Sequence, residues 1–180
     1  MGQYYKPTIL TKTNGIHVWW YSHKIDSGLK LMEHSWRNNV FVFNVMKYIE
    51  QNPQKLVWAG DYAEVEKKRK ANVYHLCIDS KQFPEKELIT DKADLGLKYI
   101  INHSKNQFVS LDKLPKDKDG WQVHALPLLT CEGNGSGGGD YFADSSKDMI
   151  GIWARDYISS CRFRMDVPEG FKEIFPKFVE

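Results

Sequence analysis

No stretch of this 180-residue chain approaches the roughly 20 consecutive apolar residues that cross a bilayer as a helix. An excess of one charge is missing too. The 25 Lys and Arg stand against 23 Asp and Glu, a formal net charge of +2. So balanced a chain lacks the field that holds a nucleic acid or an anionic membrane, and it predicts no membrane partner and no strong nucleic-acid signal. Cysteine is scarce: Cys77, Cys131 and Cys161 are odd in number and far apart, with no C-x-x-C and no Cys/His grouping at zinc spacing. That argues against a disulfide framework and a structural zinc, and for buried, reduced thiols. The opening MGQYYKPTIL lacks the apolar core of a secretion signal, and Lys6 stands where a myristoylation signal needs Ser or Thr. The expected location is the cytoplasm.

Familiar catalytic motifs are missing as well. There is no G-x-x-x-x-G-K-[ST] phosphate loop and no G-x-S-x-G nucleophile elbow. The six histidines offer no pair at metal-ligand spacing. His34, in LMEHSW, is placed for acid–base work beside Glu33, but its apolar neighbours favour a structural role. A triad of Ser136 or Cys131 with His34 or His103 has no support in the local sequence.

What is present suffices for one core: 42% of the residues are hydrophobic and 13% of the residues are aromatic. Two β-prone runs from Thr8 to Tyr21 flank Asn14-Gly15, a strong hairpin signal. A turn follows at Asp26-Ser27-Gly28, then a short helix over Leu29 to Trp36. Asn39 to Asn52 is the clearest helix, with Val42, Val45, Met46 and Ile49 on one face, Asn38 or Asn39 as cap and Pro53 as stop. Lys55 to Ala59 reads as a buried strand, Ala63 to Ala71 as an exposed helix, and Val73 to Ile78 as a strand. The basic run KKRK, Lys67 to Lys70, falls on the solvated face of that exposed helix. Residues 79–96 read as a connection. Lys98–Asn102 and Gln107–Leu111 form a second hairpin. Trp121 to Thr130 is expected to be extended, at a sheet edge or bulge because of Pro127. Ile150 to Cys161 is a further strand, and Pro168 to Phe178 a closing helix or turn. The predicted class is α+β, a single domain over 1–180 with a mostly antiparallel sheet, hairpins and one or two helices.

Two features point to a site. VWAGDY (Val57–Tyr62) and IWARDY (Ile152–Tyr157) agree or swap one β-branched residue for another at five of six positions. The echo places Asp61 with Tyr62, and Asp156 with Trp153 and Arg155, at the ends of two similar strands. The plainer reading is that the aspartates cap turns and the tryptophans fill the core. The second feature is the loop GNGSGGGD. Five of the seven residues from Gly133 to Gly139 are glycine. Such a backbone turns successive N–H groups toward an anion and lets a ligand approach closely. Asn134, Gly135, Ser136, Gly137, Gly138, Gly139 and Asp140 are therefore candidate ligand contacts, with Asp61, Tyr62, Trp153, Arg155 and Asp156. A flexible linker or bulged turn is the alternative. The formal G-x-G-x-x-G at Gly133, Gly135 and Gly138 lacks the helix that a dinucleotide site needs.

Taken together, MGQYY, LKLMEHSW, AGDYAE, LPLLTCEGNGSGGGD and GIWARDYIS resemble a family of small uncharacterised proteins of gut bacteria, their mobile elements and phages. The resemblance implies a shared site and an intracellular setting; it names no reaction. The family's loop reads GNGRGGGD, so Ser136 replaces a guanidinium with a neutral hydroxyl, and the resemblance implies weaker anion binding here unless Arg155 compensates.

Three readings follow. The favoured one is binding or sequestration of a phosphorylated, nucleotide-like molecule through the glycine loop, as a mobile-element protein opposing host nucleotide signalling would do. The second is a phosphoesterase holding a divalent metal on Asp61, Asp140 and Asp156. The third is a protein–protein interaction module without a ligand.

Overall fold

In the computed structural model, which describes residues 1–25, 27–91 and 96–178, one eight-stranded sheet carries the chain. The turn expected at Asp26 and the part of the connection at 92–95 lie outside the described residues. The α+β class holds: the sheet is mostly antiparallel, and among the described residues four short α-helices pack with it.

The first hairpin forms as expected. β1 (Tyr5–Leu10) and β2 (Ile16–Trp19) pair antiparallel. Asn14 supplies the positive φ of the turn, +61°, a region Asn enters more readily than most residues. A four-residue helix, α1 (Leu31–His34), precedes α2 (Val40–Tyr48). Asn39 caps α2 by accepting from the backbone N–H of Phe41 and Val42. The four apolar residues of the expected face are all buried. The helix stops short of the expected Asn52, because Gln51 turns the chain through a positive φ of +53° into β3 (Gln54–Gly60).

Several expectations fail, each for a local reason. Residues 63–71 form turns rather than an exposed helix. Asn72 donates to the carbonyls of Asp61 and Ala63 and so closes this segment as a loop. The same side chain accepts from His75 N and caps α3 (Val73–Leu76), where a strand was expected. After the second hairpin, β4 (Tyr99–Asn102) with β5 (Gln107–Ser110), the run expected to be extended contains α4 (Ala125–Thr130). His124 accepts from Leu126 N to start it. Pro127 falls in the first turn, where no N–H is required. All six residues of α4 are buried, so its sequence carries neither a two-residue nor a 3.6-residue period.

The last strands complete the sheet. β6 (Cys131–Glu132) is followed by the glycine loop. Residues 151–155 are turns, so only the end of the expected strand over Ile150–Cys161 is strand, as β7 (Tyr157–Cys161). The closing segment begins with the expected turn, Phe171 N donating to Pro168 O, and then adds β8 (Lys172–Glu173), parallel to β5, which was not expected. The order is β2-β1-β3-β7-β4-β5-β8. One edge of β3 is covered by β1 along its length, Leu10 facing Lys55 and Tyr5 facing Gly60. Its other edge is divided: β7 pairs with Gln54 and Lys55, and β6 with Trp58 and Ala59. This division puts the glycine loop at the Gly60 end of β3. The main core lies beneath, with Trp20, Phe41, Trp58, Leu126, Leu129 and Trp153 among its members. Among the described residues no helix is long and apolar enough to cross a membrane.

Candidate functional site

The glycine loop is bound, and largely to its own protein. Asp140, 2% exposed, accepts at Oδ2 from the backbone N–H of Gly135 (2.8 Å) and Gly137 (3.1 Å), and at Oδ1 from the Tyr5 hydroxyl (2.9 Å). The amides expected to cradle an external anion thus cradle the loop's own carboxylate. Burial, and next the Asp140 charge, push the Tyr5 hydroxyl's pKa well up, so it stays a donor. Asn134 closes the loop's base, donating to Tyr141 O and accepting from Tyr141 N. Gly138 exchanges hydrogen bonds with the first residues of the chain, accepting from Gln3 N and donating to Met1 O. Gly139 O accepts from Met32 N. The glycines are explained by close approach: a Cβ on Gly137 would stand 2.8 Å from Gln3 N, and one on Gly133 3.0 Å from Ala63 N.

The three aspartates do not converge. Asp61 exchanges hydrogen bonds with Tyr4, accepting from Tyr4 N at Oδ1 and donating to Tyr4 O. Asp156 lies at the opposite end of β3, where its carbonyl accepts from Leu56 N. Five residues of strand, roughly 16 Å at 3.3 Å each, separate Leu56 from Asp61. The Asp156 carboxylate is already engaged by Asn102 (2.7 Å) and Lys105 (2.5 Å). Among the described residues no group of three or more His, Cys, Asp or Glu side chains is gathered to hold a metal ion. The metal-bearing triad of Asp61, Asp140 and Asp156 is therefore withdrawn. The sequence echo that suggested it joins a strand end to a turn, and both of its tryptophans are core. Trp58 is fully buried, as is Trp153, whose Nε1 donates to Gln107.

A different set of residues surrounds an open cavity of about 1000 Å³ beside the loop. Its walls are the hairpin turn Thr13–Asn14, residues 62–69, Glu132, Gly133, Ser136 and Arg155. Of the expected contacts, Tyr62, Ser136 and Arg155 meet here. Asn134 and Gly135 line a neighbouring cavity of about 540 Å³ that shares Gly133. Gly137, Gly138, Gly139, Asp61, Asp140, Trp153 and Asp156 line neither.

Arg155 organises one wall. Its guanidinium makes four contacts with two carboxylates: Nε and Nη2 to Glu132 (2.5 and 2.9 Å), Nη1 and Nη2 to Glu66 (3.1 and 2.5 Å). The bond from Arg155 is what chiefly holds the Glu66 carboxyl below its usual range. Arg155 adopts φ +67°, a left-handed conformation that costs a residue with a Cβ about 1–2 kcal/mol. The clamp ties the 62–69 segment to β6 and to the turn before β7.

Sequence reasoning missed the residues that give the cavity its charge. Lys67, Lys68 and Arg69 line it, and among the described residues none of the three forms an ion pair. Once the helix is replaced by a loop closed by Asn72, the basic run becomes a wall. Its position just after the GDYA turn was the available signal. His34 is structural: fully buried, it bonds Gly28 O through Nδ1 and accepts from Trp58 Nε1 at Nε2. Burial pulls its pKa down to about 4, so it is neutral at pH 7. No family model, no curated protein and no solved structure matches the chain.

Proposed function

We propose that this protein binds and sequesters a phosphorylated, nucleotide-like small molecule in the cavity bounded by Tyr62, Lys67, Lys68, Arg69, Ser136 and Arg155. The observation that carries this reading is the run of three adjacent cations, none in an ion pair among the described residues, lining a cavity of about 1000 Å³ beside Glu64, Glu66 and Glu132. That volume is at the upper end of ordinary small-molecule sites. Lys67 and Lys68 act as point charges on a phosphate, while Arg69 offers a planar fork. Tyr62, 42% exposed, presents a ring on which a base stacks. Ser136 adds a hydroxyl. Arg155 is held by its two glutamates, so it shapes the wall rather than meeting the phosphate. The glycine loop serves as a rigid rim, fixed from inside by Asp140. Sequestration of a signalling nucleotide in the cytoplasm, by a protein of a phage or mobile element, is the setting that this reading fits.

Thermal shift and calorimetry against linear and cyclic nucleotides test it. Wild type is expected to bind at least one of them, with affinity falling as salt rises. The triple variant Lys67→Ala/Lys68→Ala/Arg69→Ala is expected to lose tenfold or more in affinity and most of the salt dependence while keeping its melting temperature. No binding across the panel, or binding unchanged in the triple variant, sinks the reading.

A further inference from the structure

A second open cavity, of about 810 Å³, lies beside the start of α2 and shares no lining residue with the two cavities described above. Trp36 and Trp121 form its aromatic side. Their ring centroids lie 5.4 Å apart with planes inclined at 58°, so the two rings make an open corner. Trp36 packs against the main core, and its Nε1 donates to Met32 O (2.8 Å). Trp121 is 58% exposed, an unusual position for so large an apolar ring in a small domain.

Both rings stand on fixed backbone. Trp121 N donates to Asp117 Oδ1 (2.8 Å), and Trp121 O accepts from Asp117 N (2.8 Å). Trp36 pairs with Val123 across an antiparallel bridge, and Arg37 N donates to Gln122 O (2.8 Å). A ligand that enters the corner therefore has little protein to order.

The remaining wall is polar, and its charges are already matched. Lys24 pairs with Glu85, Arg37 with Asp112 and Glu33 with Lys30. An anion would have to break these pairs. A quaternary ammonium ion, which an aromatic corner alone would suit, would share the cavity with the cations of Lys24 and Arg37. The side chains of Ser27, Asn38 and Thr90 also line it and make no hydrogen bond among the described residues. They offer donors and acceptors together. A proline-rich strand brings carbonyl acceptors and few N–H donors, and leaves those acceptors unused.

We propose that this cavity binds a neutral pyranose sugar, one face of the ring stacked in the tryptophan corner and its hydroxyls bonded to Asn38, Ser27 and Thr90. A pyranose carries C–H groups on its face and hydroxyls around its edge. The C–H groups, polarised by the neighbouring oxygens, are drawn to the negative face of an indole. Each hydroxyl donates and accepts, as the polar wall requires. The volume admits more than one sugar ring, so an oligosaccharide is the expected form.

The test is calorimetry and tryptophan fluorescence with cellotetraose, maltotetraose, mannotetraose and chitotetraose, with choline and decaproline as rival probes. Wild type is expected to bind at least one of the four sugars, with a change in fluorescence and no dependence on salt. Trp121→Ala is expected to keep its melting temperature and to lose about tenfold or more in affinity. Asn38→Gly, which tolerates the φ of +69° at that position, is expected to lose about threefold or more. The variant Lys67→Ala/Lys68→Ala/Arg69→Ala is expected to bind the sugar as wild type does, which separates this cavity from the nucleotide site. Binding of none of the four sugars, or affinity undiminished in a folded Trp121→Ala, overturns the proposal. Binding of choline or decaproline in place of a sugar overturns the ligand class. Should Trp121→Ala fail to fold, Asn38→Gly decides: unchanged affinity overturns the proposal.

Discussion

Asp140 shows how one side chain decides what a glycine-rich loop does. Its buried carboxylate is held by the Tyr5 hydroxyl and two loop amides. Asp140→Ala strands all three donors, the hydroxyl in a fully buried ring. It is expected to cost about 2–4 kcal/mol, on the scale of removing the partner of several buried donors. Chemical denaturation checks this, and a loss below about 0.5 kcal/mol would mean that the loop does not depend on its carboxylate. Ser136 contrasts with it. Exposed and on the cavity wall, it is the place to add charge. Ser136→Arg is expected to tighten nucleotide binding by about 1.5–3 kcal/mol if a full charge-assisted bond forms, with steeper salt dependence. An unchanged affinity places Ser136 away from the phosphate.

At the scale of the loop as an element, neighbouring glycines have different tasks. A Cβ on Gly137 meets the Gln3 backbone, 2.8 Å from N and 3.1 Å from Cα, and neither atom belongs to a side chain that swings away. On Gly138 the nearest atom is 3.7 Å off, an ordinary contact, and its φ is not in the left-handed region. Gly137→Ala is therefore expected to destabilise by about 1–3 kcal/mol through overpacking, and Gly138→Ala to stay within about 0.5 kcal/mol of wild type. Melting curves of the two variants decide it; equal effects would show that the loop yields as a unit. The contrast also separates a loop shaped by its own N-terminal strand from one shaped for a ligand.

Acid stability belongs to the whole molecule. Burial depresses His34 to about 4, and burial with the nearby Arg37 charge depresses His124 to about 3. Both lie below the ordinary value near 6.5, so between that pH and about 4 the unfolded chain takes up protons that the folded protein refuses. Stability therefore falls as pH falls across that window, by up to about 1.4 kcal/mol per pH unit for each histidine. Glu66, depressed by Arg155, adds a loss of the same sign at lower pH. Denaturant midpoints from pH 7 to 4 are expected to drop steadily. His124→Asn keeps an acceptor for the Leu126 N–H and removes one titration, so its curve is expected to be shallower. Identical curves would mean that His124 is not held neutral by the fold.

Local chemistry wrote much of this architecture into the sequence. Asn14-Gly15 specified the first hairpin, the apolar face from Val42 to Ile49 specified α2, and β-prone runs around Ser104-Lys105-Asn106 specified the second hairpin. In each case neighbours a few residues apart carry the signal. Residues 125–130 and 73–76 were illegible because burial on all sides erases the period in the first, and a single cap, Asn72, outweighs β-prone neighbours in the second. The glycine loop was legible as an unusual backbone, and Tyr62, Ser136 and Arg155 as candidates beside it. Long-range contacts then set their roles. Only the folded chain brings Asp140 onto Tyr5, 135 positions away, sends Asp156 to the far end of β3, and closes residues 61–72 so that Lys67, Lys68 and Arg69 face a cavity. A carboxylate's partners and a lysine's surroundings depend on what the sheet order brings near, and that order is a property of the tertiary structure.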